Sequence, residues 1–339
     1  MSQVQLDEEK NRGVPLIRIS DLSVTFRKSW NILRNREVNY EIKAVDRVSF
    51  DIFESEIVSL VGESGSGKTT VARCLLGLVP VTGGSIKFKD VEVTNLKGGS
   101  LHNYWTSVQM IYQDPFESLD PGQTVHSIIS APIRNLTGER NPEVVQSRVV
   151  ELLQEMDMEP EEVMWKYPHQ LSGGQRQRVN IARALAANPS LLIADEPITM
   201  LDAAQRLNIL ALLKKLQRNR KLSILLITHD LASAKVMSQR TLVMYLGKLV
   251  ENGRTKNIMT KPHHPYVELI LDSTPRLARS NDRKKEFKLT WIEQSEKVRQ
   301  GCVFQPRCKY ATEICKTVEP ELVERSNGDF AACHNPLNV

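Results

Sequence analysis

The segment Gly62-Glu63-Ser64-Gly65-Ser66-Gly67-Lys68-Thr69 has the residue types and spacing of a phosphate cradle, G-x-x-x-x-G-K-S/T. Glycines let successive backbone N–H groups turn inward around an anion. A helix that starts there adds the positive end of its dipole. In that geometry the Lys68 ammonium reaches the β and γ phosphates of a nucleotide, and the Thr69 hydroxyl binds Mg2+. A second group is Asp195-Glu196, which ends the apolar run Leu191–Ala194. Carboxylates at the carboxyl end of a buried strand suit phosphate chemistry. Asp195 would hold Mg2+ through water, and Glu196 would polarise an attacking water. His229 follows a further apolar run in Ile227-Thr228-His229-Asp230 and would hydrogen-bond the γ phosphate. Each has a plainer alternative: a glycine-rich turn, an acidic strand end, a structural histidine. Their occurrence together in one chain favours chemistry.

Such groups need a scaffold of buried parallel strands. Ile57–Val61, Leu191–Ala194 and Ser223–Ile227 are continuous apolar runs of the kind buried on both faces of a parallel sheet. Helical periodicity follows Lys68 through Val71, Leu75 and Leu78, and recurs at Leu207, Leu210 and Leu213. The alternation predicts an α/β fold, a mostly parallel sheet sandwiched by helices. Alternation at Ile17–Phe26 and Val45–Ile52 predicts two more strands, with 27–43 as a loop or hairpin extension. Residues 115–185, clearest at Val144–Met156, read as a helical insertion. Thr241–Leu249 reads as a strand, Lys248–Gly253 as a turn, and Pro262-His263-His264-Pro265 as a domain boundary. Residues 1–15 are expected to fray, and 276–300 to form a charged linker.

A chain of 339 residues suggests about two domains. At 41% hydrophobic and 25% charged it can bury a core, which excludes disorder for most of its length. No apolar stretch approaches the ~20 residues of a membrane helix. The N-terminus has neither the basic nor the apolar region of a secretory signal. A cytosolic chain is expected, with partners doing any membrane work. The net charge of +5 and 6% aromatics give no basic stripe of the kind nucleic-acid binders show. Cys74 reads as a small buried apolar residue.

Leu171-Ser172-Gly173-Gly174-Gln175, between Lys68 and Asp195, resembles the signature of the ATP-binding cassette (ABC) family. Gln113 in Tyr112-Gln113-Asp114-Pro115 matches the Q-loop, Asp202 in Met200-Leu201-Asp202 the D-loop, and His229 the switch histidine. The resemblance implies a P-loop NTPase ABC cassette over residues 16–260. That fold has a mostly parallel sheet with helices on both faces, an antiparallel β subdomain and a helical subdomain at about 115–185. It implies an ATPase using Mg2+, with Glu196 and His229 catalytic. Gly62, Ser64, Gly65, Ser66, Gly67, Lys68, Thr69 and Thr70 would bind ATP, with Phe26 stacked on adenine. Thr69, Gln113 and Asp195 would position Mg2+ and water. Ser172, Gly173, Gly174 and Gln175 open a helix, and a helix N-terminus binds anions. In the family this surface faces ATP held by a second cassette, so two cassettes sandwich two ATP molecules. Closure then excludes water and assembles the site. One departure is Ile198-Thr199-Met200, where Thr-Ser-Ala is commoner. With Glu196, His229 and the signature intact, a hydrolytically competent site is expected.

Three segments resemble the oligopeptide/dipeptide (and nickel) importer ATPases. They are Lys261-Pro262-His263-His264-Pro265-Tyr266, the Q-loop run Tyr112–Pro121, and Gly301-Cys302-Val303-Phe304-Gln305-Pro306-Arg307-Cys308. The resemblance assigns 261–339 to that family's C-terminal extension. It implies a second homologous ABC ATPase, two transmembrane permease subunits and an extracytoplasmic substrate-binding protein as partners. The chain would then lie peripherally on the cytoplasmic face of the membrane. The implied solute is a di- or oligopeptide, with an oligosaccharide or nickel as the alternative. Cys302, Cys308, Cys315 and Cys333 are spaced C-x5-C-x6-C-x17-C. Four thiolates can hold a 4Fe–4S cluster or Zn2+, and the C-x2-C knuckle of many zinc sites is absent. The resemblance favours the iron–sulfur cluster, as a staple for a small tail rather than a redox centre; Zn2+ or free thiols are the alternatives. The basic stretch Arg276–Lys288 reads as a solvated linker, with anionic lipid as its other reading. A soluble ABC ATPase acting on nucleic acid or ribosomes is the competing class. Its members interrupt the cassette with coiled coils or carry two cassettes per chain, and neither feature is present; no nucleic-acid partner is expected.

Overall fold

The computed structural model describes residues 13–32, 36–273, 300–326 and 328–338, side chains excepted at 28–40. The expected fraying of 1–15 falls mostly outside these residues. The linker at 276–300 and the basic stretch Arg276–Lys288 fall outside them almost entirely. The strands are β1 (Ile17–Ile32), β2 (Arg36–Ile52), β3 (Ile57–Val61), β4 (Gly83–Phe88), β5 (Val91–Glu92), β6 (Val108–Ile111), β7 (Leu191–Asp195), β8 (Ser223–Thr228), β9 (Arg240–Tyr245), β10 (Lys248–Arg254), β11 (Val323–Ser326) and β12 (Asp329–Ala331). Of residues 27–43, expected as a loop or hairpin extension, the described 27–32 and 36–43 pair antiparallel and lengthen the β1/β2 ribbon.

Among the described residues, the main sheet has the order β11-β12-β10-β9-β3-β8-β7-β6. Its β9-β3-β8-β7-β6 part is parallel, and β10, β12 and β11 close one edge antiparallel. The apolar runs are buried on both faces because each face has its own cover. Ile224 and Leu226 of β8 face a core built with the helices Val125–Thr137, Pro142–Glu155, Gly173–Leu185 and Ala203–Arg220. Leu225 and Ile227 face the other way, toward helix Lys68–Leu75 and the antiparallel sheet β2-β1-β4-β5. Each such buried aliphatic side chain contributes about 1.5–3 kcal/mol relative to exposure. These two layers fix the carboxyl ends of β3, β7 and β8 side by side.

Two local expectations are corrected. Lys248–Gly253 is strand β10, and the turn is Leu246-Gly247, both at positive φ (45° and 85°). Two residues at positive φ match the twist of a tight hairpin. Leu207 and Leu78 are exposed, while Ile209, Leu210, Leu212, Leu213 and Leu216 form the buried stripe of helix Ala203–Arg220. His263 and His264, expected at a boundary, are buried. The Glu251 carboxylate accepts their two backbone N–H groups at 3.0 and 2.8 Å.

The C-terminal segment borrows its core from the strands before it. Phe304, Cys302 and Cys315 pack with Val243, Tyr245, Val250, Ile258, Tyr266 and Val267. Strand β12 adds to β10 through Glu251↔Ala331 and Asn252↔Phe330. Glu319 pairs with Arg47 and Lys248.

Candidate active site

Strand β3 runs into the glycine loop, and helix Lys68–Leu75 leaves it. The loop tolerates no side chain at two of its glycines. A Cβ on Gly62 would lie 2.3 Å from the Met244 carbonyl oxygen, and Gly67 has φ 104° with the Ala44 carbonyl oxygen 2.3 Å from its Cβ position. Strands β2 and β9 therefore press the loop from two sides, and the Gly247 N–H donates to the Ser66 carbonyl at 2.9 Å. The buried Lys68 Nζ donates to the Gly62 and Glu63 carbonyls at 2.7 and 2.9 Å and lies 3.4 Å from Ser66 Oγ. Burial lowers its pKa, opposed by the charges of Glu196, Asp195 and Glu63. The phosphate loop and both strand-end carboxylates thus converge.

Asp195 ends β7 and is buried. Burial raises its carboxyl pKa, and the neighbouring Glu196 charge acts in the same direction; the Thr69 hydroxyl and Lys68 oppose both. Its Oδ1 is buried with no hydrogen-bond partner. A buried carboxylate oxygen left over beside a hydroxyl and a phosphate loop fits Mg2+, a hard cation that prefers oxygen ligands and phosphates. Thr69 and Asp195 are the residues that would hold it, and it would neutralise charge on the phosphate oxygens.

Glu196 follows with φ 46°, a conformation that costs a non-glycine residue about 1 kcal/mol or more. Its N–H donates to the Ile227 carbonyl at 2.9 Å, which pins the turn to β8. Three side chains aim the carboxylate. His229 Nδ1 is 3.1 Å from Oε1, Thr199 Oγ1 donates to Oε2 at 3.0 Å, and Gln113 Nε2 donates to Oε2 at 3.3 Å. Gln113, Glu196 and His229 are thus brought together at the edge that carries the loop. Thr199 was missed as a site residue. Its only signal is its place three residues after Glu196.

The side-chain contacts of Glu196 go to Gln113, Thr199 and His229, not to the signature residues or Phe26. Ser172 N-caps helix Gly173–Leu185 in a capping box with Gln175. The nearest atoms a Cβ on Gly173 or Gly174 would meet belong to Leu201 and Gln205. Ser172 is exposed at the helix start. Asp202 caps helix Ala203–Arg220 by accepting the Gln205 N–H, a structural duty independent of any D-loop role. Phe26 is exposed on the β1/β2 ribbon opposite Ile42. Ser64, Gly65 and Thr70 complete the loop and the first turn of the helix.

The iron–sulfur expectation is overturned. Among the described residues, no group of three or more His, Cys, Asp or Glu is placed to hold a metal ion. Cys302, Cys308, Cys315 and Cys333 are free thiols, and all but the half-buried Cys308 are buried. Burial raises the Cys302 and Cys308 pKa values and pushes Cys333 up to about 11. A metal ligand must be a thiolate, and burial opposes that form at Cys302, Cys308 and Cys333. The Zn2+ alternative fails on the same ground. Apolar packing on Phe304 and Tyr266 takes over the stapling role. Cys74 is buried as expected.

Comparison with known proteins gives the same picture. Residues 45–199 match the ABC transporter family and 250–315 match the oligopeptide/dipeptide transporter C-terminal region. The chain is 39% identical to the oligopeptide transport ATP-binding protein AppF of Bacillus subtilis, covering 87% of this chain and 90% of that protein. It is 39% identical to the dipeptide transport ATP-binding protein DppD of Haemophilus influenzae, over 87% and 91%. Among solved structures it resembles the dimeric, post-hydrolysis ATP-binding cassette MJ0796 bound to ADP and Pi. That match has TM-score 0.60 and 28% identity, over 70% of this chain and 98% of that one. With loop, carboxylates and signature in family order, the chain is an ATPase and belongs to the oligopeptide/dipeptide transport ATP-binding proteins of the ABC transporter family.

Proposed function

We propose that this chain hydrolyses ATP to power uptake of di- or oligopeptides, paired with a second homologous cassette beneath two permease subunits served by a substrate-binding protein. The observation that supports the pairing is the exposed start of the signature helix. Loop, Lys68, Asp195, Glu196 and His229 form one cluster, while the exposed Ser172 helix start neighbours Leu201 and Gln205 instead. A helix N-terminus binds anions, and this exposed one is suited to the γ phosphate on another cassette. Met200, 56% exposed and next in sequence to Leu201, would meet that cassette. In this reading Glu196 accepts a proton from the attacking water, while His229, Gln113 and Thr199 hold its carboxylate in place. Lys68 and the loop N–H groups bind the phosphates, Phe26 stacks on adenine, and Asp202 lies near the partner. Residues 16–260 act as the cassette, with about 115–185 as its helical part, and 261–339 as the extension.

The peptide assignment is supported by the names of the relatives, oligopeptide and dipeptide transport ATP-binding proteins. No helix among the described residues is long and apolar enough to cross a membrane. Attachment to the membrane face would run through the permeases. A groove of about 480 Å3 lies between Trp105, Tyr112, Ala131, Pro132 and the exposed Leu78. It borders the Q-loop, so a permease segment seated there would feel movement of Gln113. The test is affinity capture of the chain from its native membranes with identification of the partners. Recovery of a second cassette and two polytopic chains, with peptide-stimulated hydrolysis, supports the reading. Stimulation by nickel or an oligosaccharide instead replaces the solute. Recovery of ribosomes or DNA-repair proteins overturns the transport reading.

A further inference from the structure

The phosphate loop is gripped from outside by the C-terminal segment. Glu63 lies within the loop, and its carboxylate takes both arms of Arg307: Nη1 to Oε2 at 2.9 Å and Nη2 to Oε1 at 3.0 Å. Its backbone N–H donates to Tyr266 Oη at 3.0 Å, and its carbonyl accepts Lys68 Nζ at 2.9 Å. One loop residue therefore joins the phosphate-binding lysine to helix Pro265–Ser273 and to the segment between Cys302 and Cys308. The far ends are firm. Tyr266 and Phe304 are buried, with ring centroids 5.5 Å apart, and Tyr245 lies 4.6 and 5.3 Å from them. Arg307 Nη1 also reaches Tyr245 Oη at 3.3 Å. The grip is anchored in a cluster separate from the nucleotide chemistry.

We propose that Arg307 and Tyr266 are positioning residues for the phosphate loop. They hold Glu63, and through its carbonyl Lys68, in the conformation that receives nucleotide phosphates, so the C-terminal segment sets ATP affinity. The inference rests on Gly62–Thr69 being the ATP site. A glycine-rich loop has wide conformational freedom, and fixing it beforehand lowers the ordering cost of binding. Such a contribution acts on bound substrate and transition state alike, so its loss raises KM and spares kcat. The pair is bidentate but partly exposed, Arg307 at 22% and Glu63 at 46% of their side chains. Screening therefore limits the effect to about threefold to tenfold in affinity.

The test compares the full-length wild type with Arg307→Ala, Arg307→Lys, Tyr266→Phe and Glu63→Gln. Lys309→Ala, which breaks the ion pair to Glu268 on the same segment, is the control. The readouts are Mg-ATP affinity from a fluorescent ATP analogue, KM and kcat for hydrolysis, and thermal unfolding. Arg307→Ala is expected to raise Kd and KM about threefold to tenfold with kcat within about twofold. Arg307→Lys, which cannot fork, is expected to recover part of the loss. Lys309→Ala is expected to match wild type, and Glu63→Gln to add nothing on top of Arg307→Ala. A lower unfolding temperature with unchanged Kd overturns the proposal, as do additive losses. If Arg307→Ala fails to fold, Glu63→Gln and Arg307→Lys probe the same pair. A wild type that binds no Mg-ATP overturns the ATP-site assignment itself, and the inference with it.

Discussion

Replacing Glu196 by Gln separates charge from shape at the proposed base. The amide oxygen can take the place of Oε2 and accept from Thr199 and Gln113, now 3.0 and 3.3 Å away. The amide N–H group then faces His229 Nδ1, now 3.1 Å from Oε1, which accepts in its other tautomer. Every contact survives, so the fold and the positive-φ turn are kept. What is lost is the negative charge and the ability to take a proton from water. A positioned general base contributes about 10²–10⁴ in rate, which is ~2.7–5.5 kcal/mol of barrier. Glu196→Gln is therefore expected to lower turnover at this chain's own phosphate loop at least about a hundredfold, read in the assembled transporter with the second cassette's site inactivated. Mg-ATP affinity should change little, because Lys68 and the loop supply it. Steady-state hydrolysis and equilibrium nucleotide binding on the same preparation decide the matter. A kcat within about tenfold of wild type would refute the assignment of Glu196 as base.

Three further outcomes follow from the geometry. Gly67→Ala puts a Cβ at φ 104° and 2.3 Å from the Ala44 carbonyl oxygen, so it should cost upward of about 1–3 kcal/mol and weaken ATP binding; unchanged thermal unfolding and nucleotide affinity would contradict this. Burial raises the Glu251 carboxyl from 4.5 to about 7. Stability from this group is full below about pH 4.5 and is lost as pH rises through about 7, on the order of 3 kcal/mol in all; urea unfolding at pH 5 and pH 8 should show this slope in wild type and lose it in Glu251→Gln. Phe304→Ala empties the aromatic cluster and should cost about 3–5 kcal/mol in chemical denaturation; a loss under about 1 kcal/mol would mean the C-terminal segment is not part of the cooperative unit.

The local geometry of the candidate site was legible. The phosphate loop, the Asp195-Glu196 strand end and the Ser172 cap each lie within a few residues, and the continuous apolar runs announced β3, β7 and β8. What escaped reading depends on distant partners. The Glu63–Arg307 pair spans 244 positions, and neither residue is unusual in its own stretch. Glu251 and Asn252 made β10 look like a turn, because sequence cannot show that the carboxylate is buried against two backbone N–H groups. Leu207 keeps helical spacing yet faces outward, since the spacing fixes a periodicity and not which stripe meets the sheet. The cysteines illustrate the limit most clearly. A spacing allows ligation or packing equally, and only the side-chain placement, with no metal-holding group among the described residues, separates them.

The central claim is that this chain is an ATPase working as half of a two-cassette site. Its most direct test is specific ATPase activity as a function of the concentration of the second cassette added to this chain, for wild type and Ser172→Asp. Aspartate caps a helix as well as serine does, so the fold is retained while a negative charge is placed where the partner's γ phosphate should sit. The account predicts that specific activity rises with concentration in wild type and collapses in Ser172→Asp, although the phosphate loop is intact. Activity independent of concentration and undiminished in Ser172→Asp would contradict it.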